Sequence, residues 1–165
     1  MENIPENDRN NILLMEDDDL LRICRQDKFR GSGRGGQKRN VTDSAVRLTH
    51  IDSEISAESD KTRSQHDNRR IALKMLREEI ALHWREKPPA SENIPERPGR
   101  NNPFYPFWAA TVLDILNAED WQISTAASYC GLSTNRLVKL LAEDKKLWKT
   151  VNENRQKAGL KTLRI

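Results

Sequence analysis

The chain has two cysteines, Cys24 and Cys130, and three scattered histidines in 165 residues. That excludes a disulfide framework and gives no metal-ligand spacing. Both cysteines lie in apolar helical patterns, which predicts core-filling thiols in a reducing compartment. No apolar run approaches the length of a membrane span, and no signal peptide is recognised. Residues 1–15, rich in Asn and Glu around Pro5, read as a disordered leader. Its acidity is the opposite of a transit peptide, so the expectation is a soluble, cytoplasmic protein. Aromatic residues make up only 5%, and the tryptophans and two of the three phenylalanines lie beyond residue 80. The second half therefore carries much of its own core, and two small domains are expected at a net charge of +3.

Glycine is scarce too, with seven residues, but four of them fall in Gly31-Ser32-Gly33-Arg34-Gly35-Gly36-Gln37-Lys38-Arg39-Asn40. Lys28, Arg30, Lys38, Arg39 and Arg47 hem this stretch. Glycines free the backbone to take positive φ and remove the Cβ atoms that hold another molecule away. Such a loop offers bare N–H groups to an oxygen that carries or develops negative charge. The cations around it attract a polyanion. A phosphate-binding P-loop is a poor fit, because no Gly-Lys-Ser/Thr follows the last glycine. A flexible basic hairpin tip is the plain alternative.

Around the loop, Asp17-Asp18-Asp19 open a short helix running to about Cys24, with acids at its N-terminus and Arg22 and Arg25 towards its end. A strand is expected from about Asp27, a second over 45–51 and a third over 54–59, with a turn at Asp52-Ser53. Val46, Leu48 and His50 alternate with Arg47 and Thr49, so His50 reads as a hydrogen-bonded core residue rather than a catalyst. Ser64 caps a helix reaching about Lys87, in which Ala72, Leu76, Ile80 and Trp84 recur every fourth residue and Leu73 widens the stripe. Its expected length is roughly 35 Å. Pro88-Pro89 end it, and residues 88–103 read as an extended, proline-rich linker.

Beyond the linker, Phe107, Trp108, Val112, Leu113, Ile115 and Leu116 predict a helix over 104–117, with Trp121 packed beneath it. Residues 123–141 have helix-turn-helix spacing: small Ala127, Gly131 at the turn, buried Leu132 and Leu137, and Ser133 capping the second helix. Residues 136–165 hold nine Lys or Arg against three acids. An RNA-facing surface is expected from Arg136, Lys139, Lys145, Lys146 and Lys149, against the alternative of a solvated helix face. Arg155, Lys157, Lys161 and Arg164 around Gly159 read as a short flexible tail.

The order of residues says more than their composition. Arg30-Gly31-Ser32-Gly33, Gly35-Gly36-Gln37, Asn40, Thr42-Asp43-Ser44-Ala45-Val46-Arg47 and then Arg63-Ser64-Gln65-His66-x-Asn68-Arg69 resemble the catalytic GGQ domain of class I peptide-chain release factors. The resemblance covers about residues 28–80. It implies a small GGQ-type sandwich of a short antiparallel sheet and a long helix over 16–87; with the linker over 88–103 and the small all-α domain over 104–165 read from composition and spacing, the expected fold class is α+β. It also implies hydrolysis of the peptidyl-tRNA ester in the ribosomal peptidyl-transferase centre by Gly35, Gly36 and Gln37, without a cofactor or metal. The Gln37 N–H is the natural donor to the carbonyl oxygen as charge builds there, a donor whose loss typically costs about 10²–10³ in rate. The two glycines permit the turn that aims it, and the Gln37 side chain suits positioning a water and excluding larger nucleophiles. The Gln37 amide is a methylation target by the same resemblance.

Expected partners are the large-subunit rRNA and P-site peptidyl-tRNA, met by Arg30, Arg34, Lys38, Arg39, Arg63, Arg69 and Arg70, with the protein acting as a monomer. The helical domain is left with three partners open: rRNA, the mRNA channel or another protein. Release factors of this class read stop codons with a separate, larger domain, and no stretch of that size or kind stands in this sequence. Codon-independent ribosome rescue is the expectation. Rescue members end in a basic tail, and this chain ends differently. A non-catalytic RNA-binding or ribosome-docking protein is the first alternative, and a DNA-binding regulator using the helix-turn-helix is the second.

Overall fold

A computed structural model describes residues 8–30 and 44–165. The chain divides into two compact units, Met1–Ile80 and Ala81–Ile165.

The first unit starts with two short helices, α1 (Arg9–Leu14) and α2 (Asp17–Arg22). The Asp8 carboxylate caps α1 by accepting from the Asn11 N–H at 2.8 Å. Ile12, Leu13 and even Arg9 are buried. The expected leader through residue 15 is therefore corrected from Asp8 onward: a polar composition conceals a capped turn with an apolar face. Arg77 fixes the junction of the two helices, donating to the Met15 carbonyl at 2.5 Å and pairing with Asp17 at 3.0 Å.

Three antiparallel strands follow in spatial order: β1 (Cys24–Phe29), β2 (Ala45–His50) and β3 (Ser56–Ser59). Cys24 pairs with His50 and Phe29 with Ala45, while Val46 pairs with Ser59. The first strand starts three residues before its expected place, so Cys24 lies on a strand rather than in a helix. A short apolar run such as residues 20–24 does not separate the two by periodicity. Val46, Leu48 and His50 alternate inward as expected, but Thr49 is also buried. Helix α3 (Gln65–His83) supplies Ala72, Leu73, Leu76 and Ile80 to the core. It stops short of Lys87, at 19 residues and about 28 Å.

In the second unit, α4 (Tyr105–Ala118) is buried on almost every side, from Trp108 through Leu116. A helix apolar all round belongs in the middle of a bundle. Around it stand α5 (Ile123–Tyr129), α6 (Thr134–Ala142) and α7 (Lys145–Lys157). Ala126, Ala127, Leu137, Leu141, Leu147 and Val151 complete the core, and Trp121 packs into it as expected. Gly131 takes φ +65° at the end of α5, where its N–H reaches the Ser128 carbonyl and that of Leu132 reaches Ala127. These are the paired bonds of a Schellman motif. The Ser133 hydroxyl then accepts from the Arg136 N–H at 3.2 Å, starting α6.

Two stretches differ from expectation. Residues 88–103, expected as a linker, pack on the helical unit. Ile94 lies on its core, the Tyr129 hydroxyl donates to the Pro89 carbonyl at 2.8 Å, and the Arg97 guanidinium stands 5.5 Å from the Trp108 ring centre. The expected flexible tail is folded back. Leu160 and Leu163 pack on the core, the Leu163 N–H donates to Asn152 Oδ1 at 2.7 Å, and Arg155, itself buried, donates to the Lys161 and Trp121 carbonyls.

Candidate functional site

The β1–β2 register ends at the pair Phe29 and Ala45, and the Gly/Arg-rich stretch connects these ends. Gly35, Gly36, Gln37, Arg34, Lys38 and Arg39 all fall within 31–43, outside the described residues. What the structure describes is the frame on either side.

Asn68 is the centre of that frame. It lies one turn into α3 and is fully buried. Its Nδ2 donates to the Ser44 carbonyl at 2.8 Å and the Thr62 carbonyl at 2.9 Å. Its Oδ1 accepts from the Thr62 N–H at 2.9 Å and from the Ser59 hydroxyl at 3.3 Å. Both donors and both lone pairs of the amide are thus used. Ser44 is the first described residue after the stretch, so one side chain ties its exit to the end of β3 and the start of α3. The local sequence explains the position. Ser64 Oγ accepts from the Asp67 N–H at 3.2 Å, the Ser64 carbonyl receives the Asn68 N–H at 3.0 Å, and Thr62 Oγ1 braces Ser64 from before the helix. The Arg-Ser-Gln-His-x-Asn-Arg pattern pointed to this segment. The shares of Ser44, Ser59 and Thr62 were not visible in it, because they rest on backbone groups and small hydroxyls.

The flanking cations divide. Arg30, Arg63 and Arg70 are exposed. Arg69 is half-buried, and its Nε is buried with no hydrogen-bond partner among the described residues. Arg47 is committed to the sheet, pairing with Glu58 at 2.7 Å and standing 5.3 Å from the Phe29 ring centre.

His50 is a structural residue. Fully buried, it holds Ser53 Oγ at 2.9 Å through Nδ1 and receives the Ser53 N–H at 3.3 Å, closing the turn into β3. Burial pushes its pKa below the ordinary 6.5, against the smaller opposing effect of Asp52. Cys24 and Cys130 are half-buried, and burial raises each thiol to about 11, which leaves them protonated and unreactive at neutral pH. No cluster of three or more metal-ligating side chains occurs among the described residues. Among the same residues no helix is long and apolar enough to cross a membrane.

In the second unit Arg136 and Lys139 are exposed on α6, and Lys145, Lys146 and Lys149 are exposed at the start of α7. Arg155 is not part of this surface, being buried against the Trp121 and Lys161 carbonyls.

Comparison with known proteins gives this frame its relatives. The chain is 47% identical over 76 residues to peptide chain release factor 2 of Rickettsia felis, covering 46% of this chain and 20% of that protein. It is 57% identical over 56 residues to peptide chain release factor 1 of Mesoplasma florum, covering 34% and 15%. With peptide chain release factor 2 of Aliarcobacter butzleri the figures are 42% over 89 residues, 54% and 23%. The chain thus spans about a fifth of the length of these relatives. The RF-1 domain family matches residues 16–101, just over half of the chain and the whole of the sheet, the Asn68 frame and α3. On that match the chain belongs to the RF-1 domain family of release factors.

Proposed function

We propose that the chain hydrolyses the ester joining a nascent peptide to P-site tRNA on the ribosome, through Gly35, Gly36 and Gln37. The four-way anchoring of Asn68 carries this reading, because it fixes the exit of the segment that bears those residues, in a chain of this family. A donor oriented before the reaction stabilises developing charge without further reorganisation. The Gln37 N–H takes the oxyanion of the tetrahedral intermediate, Gly35 and Gly36 allow the turn that aims it, and the Gln37 amide side chain positions the attacking water. Water adds to the ester carbonyl, the bond to the tRNA ribose oxygen breaks, and a proton passes to that oxygen through RNA hydroxyls. No protein base is required for these steps. His50, buried and closing a turn, is not assigned one.

Arg30, Arg34, Lys38, Arg39, Arg63, Arg69 and Arg70 are assigned to rRNA and tRNA phosphates around the peptidyl-transferase centre. The catalytic domain is taken as residues 16–87. Release is independent of a codon and serves stalled ribosomes in the cytoplasm, with the protein acting as a monomer. What supports codon independence is that residues 104–165, next to the matched domain, are spent on a closed helical unit with an exposed basic side.

The test is release of a labelled aminoacyl group from P-site tRNA on purified ribosomes, with the A-site codon absent, sense or stop. Wild type is expected to release under all three conditions and Gly36→Ala under none. Release confined to the stop codon overturns codon independence. Ribosome binding without release overturns the hydrolytic reading and leaves a docking protein.

A further inference from the structure

Within the second unit, the proline-rich stretch and the helices enclose a cleft of about 400 Å³. Ile94 and Pro95 line it from the stretch, Trp108 and Val112 from α4, and Leu132 and Leu140 from the helix-turn-helix. Arg97, Arg136 and Glu96 bring charge to the same lining. A half-open slot of this size, with apolar side chains on one part of its lining and charged groups on the rest, suits one small amphipathic ligand rather than a segment of folded protein.

The surrounding charge says which kind. Residues 136–165 contain three acids, and each is occupied. Glu143 pairs with Arg97 at 2.7 Å, and Glu153 pairs with Lys149 at 3.6 Å. Asp144 is buried and accepts from Arg100, from the Tyr105 hydroxyl and from two backbone N–H groups of α7. Arg136, Lys139 and Lys145 are exposed and have no ion-pair partner among the described residues. Around the cleft, among the described residues, one unpaired carboxylate, Glu96, stands against three unpaired cations, Arg136, Lys139 and Lys145, so the uncompensated charge is positive on balance. Arg136 belongs to both features, since it lines the cleft and Lys139 follows one turn later on α6. Arg97 keeps a further donor, its Nε being buried with no hydrogen-bond partner among the described residues.

We infer that the cleft is a nucleotide subsite: it takes one unstacked base of an RNA, with the adjoining phosphates on Arg136 and Lys139. An apolar peptide side chain would fill the slot but leave the unpaired cations beside it without a role. A regular RNA duplex would satisfy the cations but not the slot, because each of its bases is paired and stacked and none protrudes to enter a cleft. A bulged or single-stranded nucleotide satisfies both, and splayed bases are what RNA-reading proteins hold against apolar and aromatic walls. This goes beyond ester hydrolysis and stands apart from it, since its readout is RNA affinity.

The experiment uses the full chain and two labelled RNA hairpins that differ by a single bulged nucleotide, with binding followed by fluorescence anisotropy. The bulged hairpin is expected to bind about tenfold more tightly, the size of one base-stacking contact. Ile94→Trp, which fills the slot, should reduce that affinity to the level of the paired hairpin. Arg136→Gln should weaken both and lower the salt slope by about 0.7–0.9. Equal affinity for the two hairpins overturns the inference, as does a preference that survives Ile94→Trp. If Ile94→Trp loses its helical circular dichroism, competition against the wild-type complex decides. Adenosine monophosphate abolishing the preference where inorganic phosphate does not supports the subsite, and equal competition by the two overturns it.

Discussion

Asn68 Nδ2 holds the Ser44 carbonyl at 2.8 Å across 24 positions of sequence. The bond joins the first turn of α3 to the residue that follows the Gly/Arg-rich stretch. Asn68→Asp keeps the shape but removes both amide donors, leaving the Ser44 and Thr62 carbonyls facing a buried carboxylate. A loss of about 2–4 kcal/mol in urea unfolding is expected. If the frame positions the segment for chemistry, release from P-site tRNA falls further, by up to about a hundredfold, while ribosome binding is kept. Wild-type stability in Asn68→Asp would show that the two bonds donated by Nδ2 contribute nothing net.

Two left-handed turn positions should respond in opposite directions. Gly131 has φ +65° and nothing within 4 Å of the point where a Cβ would stand, so Gly131→Ala meets no clash and exposes the backbone cost alone. About 1–2 kcal/mol of destabilisation is expected. Asp120 sits at φ +49° in the equivalent place after α4, where its N–H reaches the Asn117 carbonyl and that of Trp121 reaches Leu116. Asp120→Gly should gain about 0.5–1 kcal/mol. Shifts of the same sign in the two variants, read from urea midpoints, would mean that factors other than φ decide.

The same pair marks what was legible in the sequence. Gly131 and the Ser133 cap could be read because turn and cap chemistry is local, and the inward face of Val46, Leu48 and His50 could be read because a strand repeats every two residues. Asp120 could not, since an aspartate after a helix carries no sign of its φ. The burial of Arg9 and Arg155 was also hidden, because composition reads arginine as surface while long-range carbonyls and helix packing decide otherwise. Proline-rich residues 88–103 read as a linker for the same reason: the stacking of Arg97 on Trp108 is invisible until both are in place. For the candidate site, the motif pointed to the Gly/Arg-rich segment and to Asn68, while the small residues that complete the anchor had no signature.

His50 predicts an acid-side loss of stability. Its folded-state pKa lies below the ordinary 6.5, chiefly through burial, so between the two values the unfolded chain binds the proton and the folded chain does not. The stability it contributes is present above pH 6.5 and is lost as pH falls below it. His50→Gln, uncharged throughout, should flatten this part of the profile, although it costs stability at neutral pH by disturbing the bonds to Ser53. Urea unfolding of both proteins from pH 8 to pH 5 tests this, and parallel profiles would sink it.

Asp144 concentrates the charge chemistry of the helical unit. Its Oδ1 caps α7 by accepting from Lys146 and Leu147 N–H groups at 2.9 and 3.2 Å. Its Oδ2 accepts from the Tyr105 hydroxyl at 3.0 Å and from Arg100 at 2.7 Å. Asp144→Ala removes a cap and strands a tyrosine and an arginine together, for an expected loss of about 3–4 kcal/mol. Asp144→Asn keeps the capping oxygen and should cost roughly half of that. The two variants also test the cause of a titration. Burial, and after it Asp144, pushes the Tyr105 phenol well above its ordinary 10, so the stability it contributes is present below pH 10 and is lost as pH rises beyond it. Removing the carboxylate should lower the phenol pKa without restoring it fully, because burial remains. Tyrosinate absorbance in Asp144→Asn reads this directly: an unchanged titration would assign the whole shift to burial, and a full return to 10 would assign it all to Asp144.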